Sequence, residues 1–129
     1  MRLLLDTHAA VWAVTEPEKL PERVADLIAD GQNEVFVSAV VLWEIAIKAP
    51  LGRHDAPTIG ARDAHHEFGL AGFETLPITS EHAIAVLGLP RLHADPFDRM
   101  LVAQSITESM RLVTHDAKLA AYSETIISW

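Results

Sequence analysis

Apolar and polar positions along the chain switch repeatedly between short extended runs and longer stretches with helical spacing. Residues 2–5 (RLLL) read as a strand, followed by Asp6, Thr7 and His8 and a short apolar helix through Trp12. A second helix starts near Pro21 and runs to Asp30, with Gly31 as its stop. Residues 34–37 make the next strand. Ser38 then caps a helix that runs to about Ala49 and ends before Pro50. Residues 51–57 hold Gly, Pro, Asp and His and read as a loop, 58–70 as a helix and 73–76 as extended chain. Thr79 or Ser80 caps a further helix that ends at Gly88, with Pro90 beyond it. A loop over 89–94 leads to Asp95-Pro96, which opens a helix reaching about Met110. Residues 112–114 form a strand ending at His115-Asp116, a short helix covers 117–122, and 125–127 finish the sheet. Such alternation predicts an α/β fold: a central parallel sheet of about five strands flanked by helices. The 129 residues suit one domain spanning 1–129.

That architecture gives particular acids a meaning. Open parallel sheets bind ligands beyond the carboxyl ends of their strands. Asp6 directly follows LLL, and Asp116 directly follows LVTH. Glu44 lies in the second turn of the helix after the second strand, and Asp98 in the first turn of its own helix. Right-handed crossovers return helix starts to the same sheet end, so four distant carboxylates can converge. Clustered carboxylates repel, which raises their pKa values. A hard divalent cation, Mg²⁺ or Mn²⁺, relieves that repulsion through oxygen ligands. Two such ions about 3.5–4 Å apart suit phosphodiester hydrolysis.

Each acid also has a structural reading. Asp6 fits a helix N-cap, and Asp116 precedes a helix it can cap. Glu44 stands four residues before Lys48, the spacing of a helical ion pair, yet it is set among VVLW and IAI, where an idle carboxylate is costly. Asp95 before Pro96 is a strong capping pair, and Asp98 at the third helical position is favoured by the helix dipole. Thr7 is placed to orient a metal-bound water or to make a local turn bond. His93 and His115 sit beside acids but read as solvated loop residues, and His65-His66 as exposed helix residues. No histidine pair has the H-E-x-x-H spacing, so zinc is not expected, and there is no P-loop, G-x-G-x-x-G or nucleophile elbow.

Composition changes the picture in three ways. The chain has no cysteine, which excludes disulfides and thiolate metal sites and points to a reducing cytoplasm. The apolar run at residues 3–5 is too short for a signal sequence, and no stretch approaches the ~18 apolar residues of a membrane span. Mean hydropathy of +0.18 leaves two readings open: a well-filled α/β core, or apolar surface kept for a partner chain. The formal net charge of −8 argues against nucleic acid unless the negative groups concentrate where cations bind and invert the local field.

Four segments together, LLLDTHAAVW, SAVVLWEIAIKAPLGR, HADPFDRMLVAQ and LVTHD, resemble the PIN-domain family in order and spacing over essentially the whole chain. More narrowly they are similar to VapC-type toxins of toxin–antitoxin pairs. The resemblance implies a PIN-like fold and a metal-dependent endoribonuclease acting on a transfer or ribosomal RNA. Its acids fall on Asp6, Glu44, Asp98 and Asp116, with Asp95 as an auxiliary, and they hold Mg²⁺ or Mn²⁺. It further implies a cognate VapB-type antitoxin and a homodimer. Thr7, Lys48, Arg53, Arg91 and Arg99 lie near the acidic motifs and are expected at the RNA; their ordinary alternative is surface solvation. Two rivals remain. A receiver-like signalling module needs a phospho-accepting Asp after the middle strand, and FETLPITS supplies none. A PIN-like module that binds RNA or protein without cutting is opposed by the four intact acids.

Overall fold

The computed structural model describes residues 1–129. Five strands, β1 (Arg2–Leu5), β2 (Glu34–Ser38), β3 (Glu74–Leu76), β4 (Arg111–Thr114) and β5 (Ile127–Ser128), form one sheet in the order β3-β2-β1-β4-β5. Every neighbouring pair is parallel. Leu5 lies opposite Val37 on one side and Val113 on the other, so β1 is the central strand. Leu3, Leu4 and Leu5 are wholly buried, as fits a strand covered on both faces.

Six helices flank the sheet: α1 (Thr7–Thr15), α2 (Glu22–Ala29), α3 (Ala39–Lys48), α4 (Ala61–Leu70), α5 (Ser80–Ala85) and α6 (Pro96–Thr107). Local capping chemistry sets several starts. Ser38 accepts from the Val40 N–H, Thr79 from the His82 N–H, and Asp95 from the Phe97 and Asp98 N–H groups. A core of 25 buried residues runs from Leu3 to Ile127 and joins strand and helix faces. The buried His82 ring ties α5 to α6. Its Nδ1 accepts from the Thr79 N–H (3.0 Å), and its Nε2 lies 2.8 Å from a Glu108 oxygen.

The structure shifts several expected boundaries. Helix α6 ends at Thr107 rather than near Met110, because Ser109 adopts a left-handed φ of 55°. Its N–H bonds Ile106 O while that of Met110 bonds Ser105 O, a Schellman stop that aims the chain into β4. Helix α4 begins at Ala61, with Gly60 at its N-cap, rather than at Thr58. Helix α3 ends at Lys48, before Pro50 as expected, and a 3-10 turn, Ala49–Leu51, then carries the chain on to Gly52 at φ 62°. The expected helix near 117–122 is a 3-10 turn, Leu119–Tyr122. Strand β5 starts two residues later than expected, because Ile126 is still bonded back to Ser123 O. No helix is long and apolar enough to cross a membrane.

Candidate metal centre

In a 3-2-1-4-5 sheet the chain runs outward from β1 to β3 and then returns to place β4 on the other side of β1. The crevice at that switch lies beyond the carboxyl ends of β1 and β4, where open parallel sheets take ligands. Asp6 leaves β1 there, its N–H extending the ladder to Val113 O at 2.9 Å. A cleft of about 330 Å³ at this point is lined by Asp6, Glu44, Asp95, Asp98 and Asp116, with Thr7, His8, Lys48 and His115 around them. The acids come from four separated segments of chain.

Asp6 is only 3% exposed. One oxygen caps α1 through the Ala9 N–H (2.8 Å), while the other accepts from Thr114 Oγ1 (2.5 Å) and the His115 N–H (3.2 Å). Burial pushes its carboxyl above the ordinary value of 3.8, against the pull of those hydrogen bonds and of His8. Glu44, 7% exposed, accepts from Thr7 Oγ1 at 2.5 Å and from Lys48 Nζ at 2.5 Å. The helical ion pair legible in sequence is therefore present, and a bond from another helix joins it. Lys48 Nζ also lies 3.7 Å from Asp95, and its ammonium faces the Phe97 ring. Partial burial pulls its pKa down, but the bond and charge of Glu44, then the charges of Asp95 and Asp98, outweigh this and raise it.

Asp95 caps α6 with one oxygen and turns the other toward Lys48. Asp98, one-fifth exposed at its side chain, accepts no hydrogen bond; His93 Nε2 lies 3.7 Å from it. Burial first, then the charges of Asp95, Glu44 and Asp6, raise its pKa to about 7. Asp116 accepts from the Lys118 N–H (2.9 Å) and from His93 Nε2 (2.7 Å). Slight burial works upward on it, yet the Lys118 N–H and the His93 ring hold it below the ordinary value.

These donors fit a hard divalent cation. They are carboxylate oxygens, they share one cleft, and burial together with the neighbouring acids raises the pKa of Asp98. The tightest grouping is His93, Asp98 and Asp116, with one candidate ligand atom from each within 4.8 Å of the others.

His93 departs from the solvated loop residue expected of it, for only 15% of its side chain is exposed and it is bonded to Asp116. Its neighbours Ala94 and Asp95 gave a faint hint, but the partner stands 23 residues on. Thr114, which bonds Asp6, is a site residue that the sequence marks only by its place beside His115-Asp116. His115 is exposed, yet its ring packs against Trp12 (5.1 Å) and Trp129 (5.2 Å), with His8 at 6.4 Å, an aromatic edge to the cleft. His65 and His66 are exposed, as expected. Of the basic residues, Arg53 lines an adjoining cleft of about 370 Å³ with Lys19, Lys48 and His54. Arg91 is exposed. Arg99 directs its guanidinium inward, to Pro90 O, Val86 O and Tyr122 Oη.

Fold and site define a parallel-sheet protein with an acid-lined crevice at its switch point. The chain belongs to the PIN-domain family, whose model (PIN domain) matches residues 3–124. It is similar to Ribonuclease VapC22 of Mycobacterium tuberculosis (strain ATCC 25618 / H37Rv), with 30% identity over 123 residues, 93% of this chain and 91% of that protein. Its fold matches VapBC2 from Rickettsia felis bound to a DNA fragment from their promoter, at TM-score 0.67 and 16% identity, over 100% of this chain and 98% of that one. It also matches VapBC-1 from nontypeable Haemophilus influenzae, at TM-score 0.63 and 15% identity, over 100% and 97%.

Proposed function

We propose that this protein is a VapC-type, metal-dependent endoribonuclease that hydrolyses RNA phosphodiester bonds, with a transfer or ribosomal RNA as substrate. The observation that carries the reading is the meeting of Asp6, Glu44, Asp95, Asp98 and Asp116 in one cleft at the sheet's switch point. The likeness to a protein named as a ribonuclease supports it. Asp6, Glu44, Asp98 and Asp116 hold Mg²⁺ or Mn²⁺, with Asp95 assisting. A bound divalent ion supplies a lowered pKa for water and charge stabilisation for the leaving oxygen.

The chain's own residues do the rest. Thr114 and the His115 N–H fix the Asp6 carboxylate. Thr7 and Lys48 fix Glu44, whose charge Lys48 balances until a cation enters. Arg53 and Arg91 offer phosphate contacts beside the cleft. The rings of His8, Trp12 and His115 at its edge offer stacking faces to unpaired bases.

The relatives solved as VapBC support a cognate VapB-type antitoxin, whose basic segment suits a cleft of this charge. Apolar side chains exposed on and after α3, Trp43, Ile47 and Leu51, support a homodimer. The cytoplasm is the compartment these roles require.

Purified protein is expected to cut RNA with Mn²⁺ or Mg²⁺, to fall silent in EDTA and to recover when either metal returns. Mapping RNA ends after brief expression identifies the substrate. Cleavage at wild-type rate by the Asp6→Asn protein ends the assignment.

A further inference from the structure

His93 stands among the acids without being one of them. Its Nδ1 accepts the Asp95 N–H at 3.0 Å, which requires a lone pair there. The ring proton of neutral His93 is therefore on Nε2, the atom 2.7 Å from Asp116 Oδ2. A nitrogen that carries a proton has no lone pair for a metal ion. Binding through Nε2 would cost either that proton or the Asp95 N–H bond. The backbone that carries the ring is also held. Tyr122 Oη accepts the backbone N–H of His93 (3.0 Å) and of Leu92 (3.2 Å), and Arg99 donates to the same oxygen (3.2 Å). Asp116 sits in the turn after β4, and its side chain is about one-third exposed.

We propose that His93 is a positioning residue: its Nε2–H aims the Asp116 carboxylate into the cleft, and it does not itself ligate the cation. The inference rests on the metal-dependent reading above. Arg99, Tyr122 and His93 then form a strut from the 86–93 segment to Asp116. Within its own turn Asp116 is held only at Oδ1, by the Lys118 N–H (2.9 Å); the His93 ring fixes the other oxygen, Oδ2. Hydrogen bonds that orient a ligating carboxylate change metal affinity by about 10- to 100-fold.

The test separates the two ends of the ring. His93→Gln keeps a donor that reaches Asp116, while His93→Asn keeps only an acceptor for the Asp95 N–H. Calorimetric titration of each protein with Mn²⁺ alone is expected to show affinity down at least about 10-fold in His93→Ala and His93→Asn. His93→Gln is expected to stay near wild type, with RNA cleavage following the same order. Unchanged affinity in His93→Ala, or rescue by Asn rather than Gln, overturns the proposal.

Nitrogen-15 NMR of the histidine rings gives a readout independent of activity and of variant folding. The Nε2–H form is expected both without metal and with saturating Mg²⁺. An Nδ1–H form, or loss of the Nε2 proton when Mg²⁺ binds, overturns it. A wild-type protein that neither binds Mn²⁺ nor cuts RNA refutes the nuclease reading itself. One that binds and cuts, with His93→Ala indistinguishable from it, refutes the positioning role alone.

Discussion

Replacing Asp98 by Asn removes one negative charge from the cluster while nearly preserving shape. Asp98 has an ordinary pKa of 3.8 and, in the folded protein, one of about 7. Below pH 3.8 the carboxyl is neutral in both states and contributes no difference. Between the two values the folded chain keeps a proton that the unfolded chain has released, so stability falls as pH rises. Above pH 7 the full penalty is present. An interval of about three pH units, at about 1.4 kcal/mol each, sets a ceiling on the order of 4 kcal/mol. Residual solvent contact lowers it, and so does the lost interaction of a charge at the third position of α6 with the helix dipole, worth about 0.3–1 kcal/mol. Metal-free Asp98→Asn protein is therefore expected to be more stable than wild type by roughly 2 kcal/mol at pH 8, with little gain at pH 4. Urea unfolding at both pH values, monitored by circular dichroism, measures this. Adding Mn²⁺ at about 100 times its Kd raises the wild type by about 2.7 kcal/mol and the variant by less, reversing part of the order. A variant no more stable than wild type at pH 8, or a gain equal at both pH values, refutes the argument that burial together with the neighbouring carboxylates strains Asp98.

Three further outcomes follow from the geometry. Asp98→Asn should abolish RNA cleavage under the same conditions in which it stabilises the fold, as read by gel assay beside the melt. Raising salt should slow cleavage, and Arg53→Ala should weaken RNA binding and flatten its salt dependence; an unchanged dependence removes Arg53 from the phosphate contacts. Ser109→Gly should stabilise the protein by a few tenths to about 1 kcal/mol, because only a residue without Cβ holds a φ of 55° at no cost; thermal unfolding reads the shift.

Local sequence determined the elements and most of their starts. Ser38, Thr79 and Asp95 cap helices through atoms two or three residues away, and the triple leucine before Asp6 marks a strand buried on both sides. Such features depend on neighbours in the chain, so the order of residues suffices to read them. The Glu44–Lys48 pair was legible for the same reason, being one helical turn long. Tertiary structure alone decided which of these groups meet. Thr114 reaches Asp6 across 108 residues, Thr7 reaches Glu44 across 37, and His93 reaches Asp116 across 23. Whether Asp98 titrates like a surface acid or near neutrality depends on burial, on its helix's own cap Asp95, and on two charges brought in by other elements, Glu44 and Asp6. Burial and separation are properties of the packed sheet and helices, and no local pattern of residues encodes them.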